Sequence, residues 1–499
     1  MEYINHRGNF LEEFLKINKV LKEDIEVSSF LNEKTQKPIL DFKDKLISLR
    51  AEKFLLVGDY DCDGICSTVI IKKLLEYLKI NHNFYIPSRT KDGYGLNENI
   101  VDVAIKNGFG VILTVDNGIV AHGALKKAKD NGIKTLIIDH HEYENEPDCF
   151  GFIHPNILDK DFNNLSAGGL SSLFASYFYD DSLSKVLGGL STLSDMVGVL
   201  NYNRFLLKQM IDILRKEDIY QIKLLNGNDI SYESLSFNVI PKINAISRMD
   251  NNPNALVKYF LSDKKVCLSS IKAINDVNDE RKKETENELK IIAEQIDESK
   301  KIIIVKSQFV KEGLCGLIAN RLLSKYQRPV LVFTVSEGIL KGSGRSPESI
   351  NIHEYLSGIK DIFDTFGGHG QACGLSLKEE NYKKLLDYID THELKVEELC
   401  VDVIEMDIED LDDRLLETIE SLEPFGRDLK EPLIRLNSVS YFDKKLMANK
   451  YPKYNLTNNI AAISFNEDHN KLIFKDMIGY FKKDKYRKNA YSFVIEDLI

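Results

Sequence analysis

The sequence predicts a mixed α/β protein: a parallel-sheet domain, a long connecting helix, a smaller α/β domain and a C-terminal β-barrel. Three observations predict this architecture. Short apolar runs alternate with helical periodicity in the first third of the chain. A long polar helical run without Gly or Pro follows in the middle. Short strands with Asn, Lys and Gly turns fill roughly the last 75 residues. The length of 499 residues suggests about three domains.

The first domain is predicted from three apolar strand-like runs: Phe54–Val57, Val111–Val115 and Thr135–Ile138. Helical spacing follows the first run, from Ile65 to Ile80, and another helical stretch around 121–130 separates the other two. Strands that alternate with helices of about 10–15 residues indicate βαβ units and a parallel sheet. We assign residues 50–240 to this domain and residues 1–49 to an N-terminal helical segment.

The rest of the chain divides by composition. Residues 263–296 form one polar run at helical spacing, within a linker that we assign to residues 241–300. A second α/β pattern starts at Lys301 and defines a domain at residues 301–385. Residues 386–425 are an acidic connecting segment, and residues 426–499 are predicted to form a barrel of the oligonucleotide-binding (OB) type.

The net charge of −11 would usually count against a nucleic-acid partner, but the acidity is local. Residues 386–424 hold 15 acids and two bases, a charge of −13, which leaves about +2 for the remainder. Residues 441–499 hold 11 Lys or Arg and seven Asp or Glu, interleaved with Tyr451, Tyr454, Tyr480 and Tyr486. Net charge therefore does not exclude a basic groove for nucleic acid, and these rings could stack on bases or be ordinary surface residues.

Other classes are excluded by composition. No apolar run approaches the 18 or so residues that a membrane span needs, and the N-terminus lacks the apolar region of a signal peptide. The seven cysteines are an odd number without clustered pairing, which argues against a disulfide framework. We expect a cytoplasmic protein with no membrane partner.

Acidic residues follow all three predicted strands of the first domain. Asp59, Asp61 and Asp63 follow the first strand, Asp116 the second, and Asp139-His140-His141 the third. The carboxyl ends of adjacent parallel strands converge on one crevice, where so many carboxylates would repel one another. Divalent cations would neutralise them, and oxygen ligands with one imidazole favour Mn²⁺ or Mg²⁺. A single Asp at a strand end is often only a helix cap, and the glycine and closing Glu of a calcium loop are missing.

These motifs resemble the DHH phosphoesterase superfamily, whose DxDxDG, VDxG and DHH motifs occur here in order. A fourth superfamily motif appears at Ser191–Val197 and contains Asp195. Further motifs resemble the RecJ family of single-strand-specific 5′→3′ DNA exonucleases, which carry a DHH domain, a DHHA1 domain and an OB domain. They are Tyr85–Arg89, Asp92–Leu96, Pro241–Ala245, Ser247–Asp250, Lys341–Ser346, Gly367–Gly374, Leu422–Gly426 and Ser492–Asp497.

The resemblance implies two divalent ions, Mn²⁺ or Mg²⁺. Asp61, Asp116 and Asp195 would hold one ion, and Asp63, Asp116, His140 and Asp195 the other, so that Asp116 and Asp195 bridge the pair. Two such ions clamp the attacking water and the scissile phosphate. Asp139 would not bind a metal itself but would orient His140 by a hydrogen bond. His141 would face the phosphate or the leaving oxygen.

The resemblance also implies a phosphate pocket. Arg89, Ser343 and Arg345 would hold the 5′-terminal phosphate, Arg248 is a further candidate, and His369 would donate to the scissile phosphate. The chain departs from the family pattern at Val310-Lys311, where Trp-His is usual. Lys311 would keep a positive charge there.

The expected function is therefore two-metal hydrolysis of single-stranded DNA from the 5′ end, in DNA recombination and repair. Single-strand-binding protein and a helicase are expected partners. Two alternatives stay open. One is a small-substrate DHH–DHHA1 phosphoesterase acting on nanoRNA, phosphoadenosine phosphate or cyclic dinucleotides. The other is a non-enzymatic replication scaffold similar to Cdc45, which has lost metal-binding carboxylates.

Overall fold

The computed structural model describes residues 2–26, 36–89, 92–294, 296–470, 473–484, 487 and 490–499. The backbone separates into two compact units. The smaller unit contains residues 1–34, 196–208 and 399–499, and the larger unit contains residues 35–195 and 209–398. Both predicted α/β domains therefore lie in the larger unit, except for residues 196–208 of the first, which belong to the smaller unit.

The strands, in chain order, are β1 (Glu2–His6), β2 (Phe54–Val57), β3 (His82–Tyr85), β4 (Val111–Val115), β5 (Lys134–Ile138), β6 (Gly151–Ile153), β7 (Ile303–Ser307), β8 (Val330–Ser336), β9 (Ile339–Arg345), β10 (Thr365–His369), β11 (Ala372–Lys378), β12 (Cys400–Asp407), β13 (Ile434–Asn437), β14 (Asp443–Met447), β15 (Tyr451–Asn455), β16 (Ile460–Ser464), β17 (Met477–Lys483) and β18 (Tyr491–Leu498).

The α-helices are α1 (Phe10–Asn18), α2 (Lys22–Ile25), α3 (Lys37–Ser48), α4 (Cys62–Tyr77), α5 (Glu98–Lys106), α6 (His122–Asp130), α7 (Ala167–Ser176), α8 (Ser182–Ser194), α9 (Asn201–Lys216), α10 (Tyr220–Asn226), α11 (Tyr232–Ser234), α12 (Ile240–Arg248), α13 (Asn254–Leu261), α14 (Lys264–Ala293), α15 (Cys315–Tyr326), α16 (Ile352–Ser357), α17 (Tyr382–Thr391) and α18 (Asp413–Ser421).

The first sheet of the larger unit is parallel throughout, in the order β3-β2-β4-β5-β6. Every residue of β2 and β4 is buried, as central strands of a parallel sheet require. In register, Val57 pairs with Thr114, and Val115 pairs with Ile138. The prediction of a parallel-sheet domain is confirmed, and the ends of β2, β4 and β5 meet at one edge.

The long connecting helix is α14, whose 30 residues begin at a cap in which Asp263 accepts from the backbone N–H of Val266 at 2.9 Å. It leads into a second sheet in the order β10-β11-β9-β8-β7. Here β7 and β8 are parallel and the other pairs antiparallel. Its two faces pack against separate apolar clusters, one of them with α15.

The smaller unit is built on a mixed eight-stranded sheet in the order β1-β12-β13-β17-β18-β16-β15-β14. Two parts of it differ from the sequence-based assignment. Residues 2–6, assigned to a helical segment, form β1, which pairs in parallel with β12 and so obtains backbone partners that no local pattern reveals. The acidic segment 386–425 contains β12, which buries Val403 and Ile404 despite the acids between its apolar residues.

Among the helices of the described residues, none is long and apolar enough to cross a membrane.

Candidate metal centre and phosphate pocket

Acidic and imidazole side chains lie together where β2, β4 and β5 end. Three groups of three residues each place donor atoms within 4.8 Å of one another. Asp116 and His140 each belong to two groups, so the groups join into a single cluster. The groups are Asp59, Asp61 and Asp116; Asp63, His140 and Asp195; and Asp116, His140 and His141.

The His140 ring is surrounded by three of the predicted ligands. Its Nε2 lies 3.2 Å from Asp116 Oδ1 and 3.6 Å from Asp63 Oδ2, and its Nδ1 lies 3.6 Å from Asp195 Oδ2. Burial is the main cause that lowers the pKa of His140. The ring is therefore held neutral, the state in which imidazole binds a metal.

Asp63 is fixed by donors from two other helices. Its Oδ2 accepts from the backbone N–H of Ala167 at 2.9 Å, and its Oδ1 accepts from that of Gly168 at 2.7 Å. The hydroxyl of Ser191 donates to Oδ1 at 2.5 Å. Because the N-terminus of α7 supplies two backbone N–H groups, this carboxylate keeps one orientation toward the cluster.

Asp139 contacts a different imidazole from the one we expected. Its Oδ1 lies 2.7 Å from Nδ1 of His141, and it accepts from the backbone N–H of His140 at 2.8 Å. The carboxylate thus orients the His141 ring and the His140 backbone. Burial alone would lower the pKa of His141, but Asp139 and the other acids raise it to about 9. Burial would likewise raise the pKa of Asp139, whereas His141 and hydrogen bonds lower it.

The acids of the cluster are electrostatically crowded. Burial, and then the neighbouring carboxylates, raise the pKa of Asp59 and of Asp116 well above the usual range. The same causes raise the pKa of Asp195 to about 8. In the part of the chain that the structure describes, the basic side chains within ion-pair distance of these acids are those of His140 and His141, with no Lys or Arg among them.

The donor set therefore fits divalent cations. Oxygen atoms of several carboxylates and one neutral imidazole match the preferences of Mn²⁺ and Mg²⁺. The Oδ1 atom of Asp59 is buried and has no hydrogen-bond partner within the described residues. A cation would relieve both the mutual repulsion and this unpaired oxygen.

Two residues, one in the cluster and one in contact with it, were not among the predicted site residues. Asp59 is 3% exposed and shares a donor group with Asp61 and Asp116. The hydroxyl of Tyr94 lies 3.0 Å from Nε2 of His141. In the sequence, the alternation of Asp59 with Asp61 and Asp63 could have indicated Asp59. The glycines on either side of Tyr94, at positions 93 and 95, were a weaker indication of Tyr94.

The predicted phosphate-binding residues lie in the same larger unit. The guanidinium of Arg89 lies over the Tyr60 ring at 5.2 Å, and its buried Nε has no partner within the described residues. Ser343 and Arg345 lie on β9, facing α15. A Cβ added at Gly316 would stand 3.2 Å from Nη2 of Arg345 and 3.4 Å from Oγ of Ser343. Bulk on this turn of α15 would therefore crowd both side chains.

Arg248 lies close to the other predicted phosphate-binding arginines. Its Nη1 donates to the carbonyl of Gly313 at 2.9 Å. Burial, then Arg89 and other guanidinium groups that include Arg345, lower its pKa to about 10. Arg89 and Arg345 are therefore each close enough to Arg248 to repel its charge, and a bound anion would stabilise this arrangement.

His369 ends β10, and its backbone pairs with that of Ala372. The side chain of His369 lies outside the described part of the structure. The departure from the family pattern at Val310-Lys311 lies in a different part of this domain, after β7. Val310 is buried in an apolar cluster, and Lys311 pairs with Glu284 of α14 at 3.0 Å. The charge of Lys311 is therefore already neutralised within the protein.

The aromatic residues of the smaller unit differ from the expected set. Tyr454 is fully buried, so it cannot stack on a base, and Tyr486 lies outside the described residues. Phe442 and Phe465 are each 67% exposed. Lys450 lies over the Tyr451 ring at 4.5 Å, close to this exposed surface, since Tyr451 also packs against Phe465.

Three family models match the chain in order: the N-terminal domain of the DHH family at residues 53–190, the DHHA1 domain at residues 299–392 and the RecJ OB domain at residues 402–497. The fold and the site thus define a DHH–DHHA1 protein. The OB match narrows the class: the chain carries DHH, DHHA1 and RecJ OB domains in this order, and so resembles the RecJ family. The predicted fold class is confirmed, and the OB match begins within the acidic segment that we had assigned as a connection.

Curated relatives agree with this assignment. The single-stranded-DNA-specific exonuclease RecJ of Bacillus subtilis is 31% identical over 424 residues, which is 80% of this chain and 54% of the relative. The protein of the same name from Escherichia coli is 26% identical over 66% of this chain and 64% of its own length. The chain thus spans between about half and two thirds of the length of these relatives.

A solved structure shares the fold. The crystal structure of RecJ in complex with Mn²⁺ from Thermus thermophilus superposes with a TM-score of 0.83 and 19% identity. The match covers 100% of this chain and 79% of that one.

Proposed function

We propose that this protein hydrolyses single-stranded DNA from the 5′ end, one nucleotide at a time, with divalent cations. One observation carries the proposal: a crowded carboxylate–imidazole cluster and a cluster of arginines occur in the same compact unit. The names of the curated relatives, which describe single-stranded-DNA-specific exonucleases, support the same activity and substrate.

In this proposal Asp61, Asp63, Asp116, His140 and Asp195 hold two ions, Mn²⁺ or Mg²⁺. The ions would supply the positive charge that stabilises the transition state and makes water a stronger nucleophile at neutral pH. Asp59 would complete the oxygen-rich side of the cluster. His141, which the Asp139 carboxylate holds protonated, would stabilise charge on the phosphate or the leaving oxygen.

Polarity would come from the arginine cluster. We propose that Arg89, Arg248, Ser343 and Arg345 bind the 5′-terminal phosphate, because guanidinium groups that repel one another gain most from a bound anion. His369 would donate to the scissile phosphate. A 5′ end fixed at one distance from the cations would be shortened in steps, which is what an exonuclease requires.

The smaller unit would bind the rest of the strand. Exposed Phe442 and Phe465 lie in the region of the RecJ OB match, and rings of this kind stack on bases without regard to sequence. We further propose that the protein works in recombination and repair in the cytoplasm. A helicase and single-strand-binding protein would be its partners there, since they produce and cover single strands.

The test is hydrolysis of one oligonucleotide, labelled at either end, in Mn²⁺. The 5′ label should appear at once as mononucleotide, while the 3′ label gives a ladder that shortens with time. The Asp116→Asn protein, purified in the same way, controls for contaminating nuclease, and EDTA should stop the reaction. A matching duplex should be degraded much more slowly.

Three results would contradict the proposal. Loss of the 3′ label as mononucleotide would reverse the polarity. Cleavage of only dinucleotides or cyclic dinucleotides would favour the small-substrate phosphoesterase. Mn²⁺ binding without hydrolysis of any of these substrates would favour a scaffold similar to Cdc45.

A further inference from the structure

Tyr94 is held between two residues of the candidate metal centre, and no role described above uses it. Its hydroxyl donates to the backbone carbonyl of Asp116 at 3.0 Å. The same oxygen lies 3.0 Å from Nε2 and 3.3 Å from Nδ1 of His141. The two rings meet edge to face, with centroids 5.6 Å apart. One hydroxyl thus contacts the main chain of one site residue and the side chain of another.

The turn that carries Tyr94 is docked on the residues after β4. Gly93 and Gly95 flank it, with φ of 81° and 62°, in the left-handed region that favours glycine. A Cβ at Gly95 would stand 2.9 Å from Cβ of Asn117. The backbone N–H of Leu96 donates to Oδ1 of Asn117 at 3.1 Å. Tyr94 therefore reaches the centre from a turn whose position is fixed.

The hydrogen bond from Tyr94 to Asp116 is made at a residue whose backbone is strained. Asp116 is buried with φ of 59°, a left-handed conformation that costs a non-glycine residue energy. Its N–H donates to the carbonyl of Ile138 at 2.9 Å, and its own carbonyl receives the Tyr94 proton. Together these bonds set the direction in which the Asp116 carboxylate leaves the main chain.

The contact with His141 completes the support of that ring. Asp139 lies against Nδ1 at 2.7 Å, and the Tyr94 oxygen lies at nearly equal distances from both ring nitrogens. Because the Tyr94 proton is donated to Asp116, the lone pairs of the oxygen are free to face the imidazole. Because Asp139 already accepts from Nδ1, the hydrogen bond that the Tyr94 oxygen accepts comes from Nε2, and it restrains the ring.

We propose that Tyr94 is a positioning residue that aligns the Asp116 carboxylate and the His141 imidazole relative to each other. It acts through a neutral hydroxyl, and it does not itself contact the phosphate. The consequence for rate rests on the proposed nuclease function, whereas the alignment itself does not. A loss of alignment should lower turnover more than it weakens binding of the strand, since misplacement affects mainly the transition state.

The experiment compares Tyr94→Phe with Tyr143→Phe. The control also removes a phenol hydroxyl near the DHH motif, from a ring that packs edge to face on His154. We expect Tyr94→Phe to lower kcat by about ten- to a hundredfold, with KM for single-stranded DNA changed less than about twofold. Tyr143→Phe should leave both unchanged.

A second readout does not depend on activity. In protein labelled with ¹⁵N-histidine, with the His141 signal assigned through His141→Gln, Tyr94→Phe should shift that signal and Tyr143→Phe should not. The electron paramagnetic resonance spectrum of bound Mn²⁺ should change only in Tyr94→Phe. Full kcat together with an unmoved His141 signal would overturn the inference while the nuclease function stands. If the wild type hydrolyses no strand, that function fails, and the histidine signal alone decides the inference.

Discussion

Replacing Asp116 with Asn tests the candidate metal centre most sharply, because Asp116 belongs to two of the three donor groups. The amide has nearly the size of the carboxylate, and Asn also tolerates the left-handed backbone at φ of 59°. Ala would remove the charge but add roughly 1–2 kcal/mol of backbone cost. The Asn variant therefore separates the loss of a charge from damage to the fold.

The size of the effect follows from the geometry of the cluster. Two unit charges 4.8 Å apart repel by roughly 3.5 kcal/mol at an effective dielectric constant of 20. Burial and then the neighbouring carboxylates raise the pKa of Asp116, so the relief of repulsion in the variant is smaller than this full-charge figure. We expect metal-free Asp116→Asn to be more stable than the wild type by about 1 kcal/mol, or roughly 1–2 °C in Tm for a unit of this size.

In the presence of Mn²⁺ we expect the opposite effect on stability. The variant loses a ligand that contacts both sides of the cluster, so we expect less stabilisation by Mn²⁺. Hydrolysis should fall by about a thousandfold or more, equivalent to roughly 4 kcal/mol.

Thermal unfolding in EDTA and in Mn²⁺, together with initial rates on a 3′-labelled single strand, measures both effects. Asp148→Asn is the matched control, because Asp148 is an exposed acid that pairs with Lys129 at the surface. It should change neither rate nor Tm appreciably. Rates within tenfold of the wild type in Asp116→Asn would refute the assignment of this cluster as the metal centre.

Three further predictions concern the rest of the site. Arg345→Ala should abolish most of a ten- to hundredfold rate preference for 5′-phosphorylated over 5′-hydroxyl DNA. Lys341 is on the same β-strand but pairs with Glu312, so Lys341→Ala should keep the preference. Equal preferences in the two variants would argue against the pocket. Phe442→Ala should weaken binding of a long single strand by about 1–3 kcal/mol, as titration by fluorescence anisotropy would show, and exposed Phe237 of the larger unit is the control. Burial and neighbouring carboxylates raise the pKa of Asp195 to about 8, so the folded state binds more protons than the unfolded chain, and metal-free protein should lose stability as the pH rises from about 4 to 8. A Tm series in EDTA should be flatter for Asp195→Asn, and an unchanged slope would contradict this origin.

The parallel sheet could be predicted because its strands are local apolar runs. Every residue of β2 is buried, so the run is short, continuous and easily recognised. Strand β1 gave no such signal, because its partner β12 lies nearly 400 residues away and the pairing satisfies backbone groups rather than apolar side chains. The burial of side chains in β15 could not be predicted from local sequence either. Tyr451 and Tyr454 look alike in sequence, yet strand alternation and packing bury only Tyr454 completely.

The acids of the site could be predicted for a related reason. Strand ends in a parallel sheet share one edge, so sequence position alone brings Asp61, Asp116 and His140 together. The neighbours that orient them could not be predicted, since they come from distant elements. Ser191 and Gly168 bond Asp63 from helices more than 100 residues away. The contact of Asp139 with His141 rather than with His140 depends on ring directions that spacing does not define.

The two halves of the site present opposite electrostatic problems. Burial and mutual repulsion raise the pKa of the clustered carboxylates, while burial and neighbouring guanidinium groups lower that of Arg248. Cations alone would relieve the first and leave the second, and a phosphate alone would do the reverse. A phosphorylated strand that arrives with divalent cations relieves both together, so each should bind more tightly in the presence of the other. Substrate binding and assembly of the catalytic centre would then be coupled by the charge distribution that the fold imposes.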